Sequence, residues 1–99
     1  MVPLRTVMIG RHLLKHSHDC RTLRVDDKEY EFTPAQAAIV RELIKAAEHG
    51  TPSVGQETLL EAAGLRAKRL VDVFKRNSAW KVLIGPGRTN GSFRLNLGT

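Results

Sequence analysis

At 99 residues, with 41% apolar side chains, the chain has room for one small domain and one modest core. Its single cysteine, Cys20, excludes an internal disulfide framework, and no apolar run nears the roughly twenty residues that span a bilayer as a helix. The formal net charge of +6 points to an anionic partner, nucleic acid before a membrane surface, and is silent about the fold.

The charge is unevenly placed. Residues 66–94 carry eight basic side chains against Asp72 alone, while the rest of the chain carries eight basic against nine acidic. Such asymmetry predicts one basic face on an otherwise mild domain. The N-terminal VPLRTVMIGRHLL is broken by Arg5, Gly10 and Arg11 and has neither a signal-peptide core nor a small-residue cleavage site. With the lone cysteine, this gives a cytoplasmic location as the expectation.

In chain order, Gly10 interrupts both the helical and the strand period of LRTVMIGRHLLKH, so residues 1–20 read as an N-terminal appendage and candidate homodimer arm. The folded domain is expected over 21–99. RTLRV at 21–25 and EYEF at 29–32 alternate around the polar turn DDK, which predicts a hairpin. FTPAQ then signs a helix start. Thr33 is the expected N-cap, Pro34 sits at N1, and Gln36 at N3 completes a capping box. The helix is expected over 34–49, with Ala35, Ala38, Ile39, Leu43, Ala46 and Ala47 as its apolar stripe, widened by Val40 and Ile44, and with Gly50 closing it. SVGQ repeats the start signal, predicting a second helix over 54–63 with Ser53 as N-cap and Gly64 ending it.

A third helix is expected over 66–77. At about 100° per residue it gathers Ala67, Leu70, Val71 and Phe74 on one side and sets Arg69, Asp72 and Arg76 opposite, with Lys68 and Lys75 on one flank. WKVLI at 80–84 and SFRLNL at 92–97 alternate around GPGRTNG, which predicts a second hairpin.

A short helix, a glycine turn and a helix with a basic outer row form a helix-turn-helix pattern, and the hairpin after it has the place of a wing. The stretches RTLRVDDKEYEFTPAQAAIVRELI (21–44), SVGQETLLEAAGL (53–65) and RLVDVFKRNSAWKVLIGPGRTNGSFRLNL (69–97) resemble the winged-helix DNA-binding domain of OmpR/PhoB-type response regulators. Thr33, the leucine-containing second helix and the GSFRL ending at 91–95 carry the likeness. It implies an α+β winged helix-turn-helix with a β-platform ahead of the first helix, of which the pattern shows one hairpin. It also implies a third helix in the major groove of double-stranded DNA and a wing on the backbone.

The DNA-contacting residues expected on this basis are Arg66, Lys68, Arg69, Lys75, Arg76, Lys81, Arg88, Asn90 and Arg94. Small residues in the wing would let backbone N–H groups approach phosphate. The competing reading is a protein–protein interaction module on the same scaffold, with Asp72 paired to Arg69 and Arg76 on a solvated face. GPGRTNG lacks the Gly-Lys-Ser/Thr ending of a nucleotide-hydrolase loop. His12, His16 and Cys20 do not have zinc-signature spacing. No nucleophile is set beside a base. Neither enzyme activity, a cofactor, a metal nor a small-molecule substrate is therefore expected.

Overall fold

The computed structural model describes residues 5–9, 12–17, 19–25, 28–64, 66, 69–75, 77, 80, 83–89 and 91–96. Four strands, β1 (Arg5–Ile9), β2 (His12–His16), β3 (Thr22–Val25) and β4 (Lys28–Glu31), form an antiparallel meander in chain order. The pairings Val7↔Leu14, Leu14↔Val25 and Leu23↔Tyr30 put these side chains on one face, and all but the half-buried Val7 are buried there. Side-chain alternation sends Arg24 and Glu29 to the other face, where they form a 3.8 Å ion pair.

The expected hairpin at 21–32 is therefore present, but it is half of a larger sheet. Residues 5–9 and 12–16 are not an appendage: they are two strands of the sheet, and Leu14 has no exposed surface. The connection from β2 to β3 is tightly bonded. Ser17 Oγ donates to Asp19 Oδ1 (2.8 Å) and accepts from Thr22 N–H (3.1 Å), while Cys20 takes a left-handed φ of 62°.

The first helix, α1 (Pro34–Glu48), begins as its capping box dictates. Thr33 Oγ1 accepts from Gln36 N–H (3.3 Å), and Gln36 Oε1 accepts from Thr33 N–H (3.0 Å). Gly50, at φ 78°, follows the C-cap His49. The buried stripe is turned toward Gln36 and Ala37, and Ala35, Ala38, Ala46 and Ala47 are only half-buried. The large side chains Ile39, Val40, Leu43 and Ile44 set the buried face, and the small alanines yield to them.

Beyond α1 come β5 (Val54–Gly55), α2 (Gln56–Ala62), α3 (Leu70–Val73), β6 (Ile84–Pro86) and β7 (Ser92–Leu95). The last three strands form a second antiparallel sheet in the order β5-β7-β6. Three expectations are corrected here. Ser53 does not cap α2: the chain stays extended through Gly55 because Val54 and Gly55 pair with Phe93 and Ser92, so the helix starts at Gln56. The third helix does not run unbroken over 66–77: Arg69 is extended and Phe74 leaves helical geometry, and among the described residues the helical part is the single turn α3. Of the expected 80–84 strand, only Ile84 belongs to β6: Trp80 makes an isolated bridge to it, Leu83 is in a turn, and Lys81 and Val82 lie outside the described residues.

Leu14, Leu23, Ile39, Leu43, Leu59, Leu70, Phe74 and Ile84 meet in one core. An aromatic series crosses it. Phe32 meets Phe74 edge-on (centroids 6.2 Å apart), Phe74 stacks on Trp80 (5.8 Å), and Trp80 leans on Phe93 (5.4 Å). The series joins the end of the first sheet to α3 and to β7. Among the described residues no helix is long and apolar enough to cross a membrane.

Candidate nucleic-acid interface

Two glutamines confine α3. Arg69 is extended (φ −134°, ψ 135°), so the helix cannot begin before Leu70, and Leu70 N–H is taken by Gln56 Oε1 at 2.6 Å. At the other end Phe74 leaves helical geometry (φ −103°, ψ 16°), and Val73 C=O accepts from Gln36 Nε2 at 2.8 Å. Asn77 secures the exit. Its Nδ2 donates to Glu31 C=O (2.9 Å) and to Gln36 Oε1 (3.1 Å). These partners satisfy terminal groups that a longer helix would have used internally.

Gln56 also donates its backbone N–H to Gly91 C=O at 2.7 Å. The first residue of α2 therefore holds both the start of α3 and the turn of the β6–β7 hairpin. Arg69, next to Leu70, and the 87–91 turn are brought to the same end of α2 by this one residue.

The turn is built on two serines. Arg88 N–H donates to Ser53 Oγ (3.0 Å), Thr89 N–H to Ser92 Oγ (3.2 Å), and Ser92 Oγ in turn to Thr89 C=O (2.7 Å). Gly87 N–H donates to Ser92 C=O (2.9 Å). Gly91 supplies the left-handed position at φ 80°. The expectation that wing amides are open to phosphate is corrected for residues 87–89. Their N–H groups are already spent, because the serines that shape the turn do so by accepting from them. Arg88 itself is exposed.

Of the nine expected contact residues, Arg66, Arg69, Lys75, Arg88 and Arg94 are all exposed, and none forms an ion pair with another described residue. Arg69 and Lys75 flank α3 rather than standing on it, and Arg94 lies on β7 opposite Gly85. Lys68, Arg76, Lys81 and Asn90 lie outside the described residues. Asp72 is exposed and does not pair with Arg69. Sequence reasoning missed the positioning roles of Gln36, Gln56, Ser53 and Asn77. Gln36 gave one sign, as a polar side chain on a face that becomes buried.

Among the described residues no group of three or more His, Cys, Asp or Glu could hold a metal ion. His16 Nδ1 lies 2.9 Å from Ser17 C=O, and Cys20 Sγ sits 3.5 Å from it. Comparison with protein-family models, with curated proteins and with solved structures finds no match to this chain.

Proposed function

We propose that the chain is a winged helix-turn-helix protein that binds double-stranded DNA. The four-stranded sheet ahead of α1 answers to the platform implied by the family likeness, and β6–β7, braced by β5, stands where a wing is expected. The observation that carries the reading is the set Arg66, Arg69, Lys75, Arg88 and Arg94. These side chains are exposed and unpaired among the described residues; Arg66 precedes α3, Arg69 and Lys75 flank it, Arg88 and Arg94 belong to the β6–β7 hairpin, and Gln56 links the start of α3 to the turn of that hairpin. Such a site neutralises phosphates, so its affinity is electrostatic and salt-dependent.

The test is a titration of labelled duplex DNA at about 50 and 200 mM salt, for the parent and for Arg69→Ala/Arg88→Ala. Losing two phosphate contacts lowers the slope of log affinity against log salt by about 2. An unchanged slope removes Arg69 and Arg88 from the interface. No binding at the lower salt removes the DNA reading.

One observation favours the interaction-module reading. The outward side chains of α3 include Val71 and Asp72, an apolar and an acidic group that suit a protein surface better than phosphate. Failure of the parent to bind duplex at low salt would leave that reading standing.

A further inference from the structure

The two edges of the first sheet are built differently. The β4 edge reads Lys-Glu-Tyr-Glu, three charges in four residues, which is how proteins keep an edge from pairing. The β1 edge reads Arg-Thr-Val-Met-Ile and has no such guard after Arg5. Among the described residues nothing pairs with its outer side.

Three consecutive apolar residues put apolar side chains on both faces of β1. Val7 and Ile9 lean on the core and remain half-buried, while Met8, on the other face, is 61% exposed beside its cross-strand partner Leu13 at 40%. An edge strand with one wet face should alternate. β1 departs from that alternation, and a strand added at its edge would lie beside Met8 as well as beside Val7 and Ile9.

We propose that β1 pairs antiparallel with β1 of a second copy of this chain, joining two four-stranded sheets into one across a two-fold axis at Val7. The strand is its own complement. The antiparallel register that pairs all five residues sets Val7 against Val7, Thr6 against Met8 and Arg5 against Ile9 of the other copy. The two Arg5 side chains then lie at opposite ends of the pairing. A parallel pairing sets Arg5 beside Arg5, and like charges directly opposite are unfavourable. Residues 1–25 carry five basic groups against Asp19 alone, so a register that keeps the two Arg5 side chains apart matters. The two-fold pairing is isologous and closes at two copies. Five residues a side bury less than the roughly 1,200 Å² of a standard stable interface, so the dimer is weak and concentration-dependent.

Sedimentation equilibrium of the full chain, from about 10 μM to about 1 mM without DNA, tests this independently of any nucleic-acid function. The parent should self-associate to dimers and no further. Thr6→Lys/Met8→Lys places an introduced lysine opposite another at both ends of the two-fold and should weaken the dimer about tenfold. Thr6→Glu/Met8→Lys uses the same sites but sets opposite charges face to face, and should dimerise within about threefold of the parent. Circular dichroism checks that each variant is folded. Should the double-lysine variant fail to fold beside Lys15, the glutamate–lysine variant still decides: its dimer must weaken with added salt more steeply than the parent's. A parent that stays monomeric at 1 mM overturns the proposal. So does a glutamate–lysine variant as weak as the double-lysine one, or two variants indistinguishable from the parent.

Discussion

Gln36 offers the sharpest test of how this domain is held together. Its side chain makes three hydrogen bonds: Oε1 accepts from Thr33 N–H at 3.0 Å and from Asn77 Nδ2 at 3.1 Å, and Nε2 donates to Val73 C=O at 2.8 Å. At a net worth of about 1 kcal/mol each, Gln36→Ala should cost about 3 kcal/mol if every partner were stranded. Asn77 keeps its bond to Glu31 C=O, which lowers the expectation to about 2–3 kcal/mol. Thr33→Ala removes one capping bond from the same helix start and should cost about 1 kcal/mol.

In a domain of this size, 1 kcal/mol moves Tm by roughly 4–8 °C, so the two variants separate clearly. Gln36→Glu dissects the larger effect. It keeps the acceptor for Thr33 and Asn77 but sets a carboxylate against Val73 C=O, and at pH 7 it should fall between Thr33→Ala and Gln36→Ala. Urea unfolding followed by far-ultraviolet circular dichroism measures all three. If Gln36→Ala costs no more than Thr33→Ala, Gln36 is only a helix cap and the link to α3 contributes nothing.

Three more outcomes are expected. A methyl group added at Gly87 would strike Ser92 Oγ and come within 2.9 Å of Ser53 Oγ. Gly87→Ala should therefore cost about 1–3 kcal/mol by urea unfolding, and an unchanged midpoint would contradict the close approach. Asp19 is held below the usual carboxylate range by the Ser17 hydroxyl and the Arg21 N–H. Its contribution is present above an unfolded value of about 3.9 and is lost as pH falls through its lower folded value. Asp19→Asn should accordingly flatten the acid limb of stability against pH, and an unaltered limb would sink the assignment. Burial pushes the Cys20 thiol up, so iodoacetamide at pH 8 should label it at least about tenfold more slowly in the native protein than in urea. Equal rates would show that the thiol is open.

What was legible in the sequence was whatever is decided locally. Thr33, Pro34 and Gln36 fixed the start of α1 because all the partners of a capping box lie within one turn. Gly50 and Gly64 marked helix ends because their positive φ is a local demand. The 22–31 hairpin followed from alternation. What was not legible is decided across the chain. Ser53 looked like a helix cap, but its hydroxyl is used 35 residues away by Arg88 N–H. Gln56 looked like an N3 residue, but it starts its helix and reaches Leu70. The 66–77 periodicity holds in part: Leu70 and Phe74 are fully buried, Val71, expected beside them, is exposed, and Ala67 lies outside the described residues. Burial at that spacing does not require a helix to continue, and the glutamines end this one after a single turn. Residues 1–20 misled because two adjoining strands, each five residues long, carry no single period.

The shortness of α3 changes how DNA recognition must work if the proposed function holds. Four helical residues rise about 6 Å, too little to present two turns of side chains along the major groove. Arg69 and Lys75 stand at the ends of that turn, and Arg88 and Arg94 belong to the wing, so phosphate contact outweighs base contact in one copy. Phosphate contacts fix position and carry no sequence information directly. Sequence preference then has to come from the spacing between two copies, which a two-fold through β1 would supply. The two proposals thus make a joint demand that neither makes alone. Thr6→Lys/Met8→Lys leaves every wing and α3 cation in place, so it should leave binding to a random duplex about unchanged while lowering selectivity among duplexes chosen from a random pool. Loss of random-duplex affinity in that variant would mean that β1 itself touches DNA, and the division of labour between sheet and wing would be wrong.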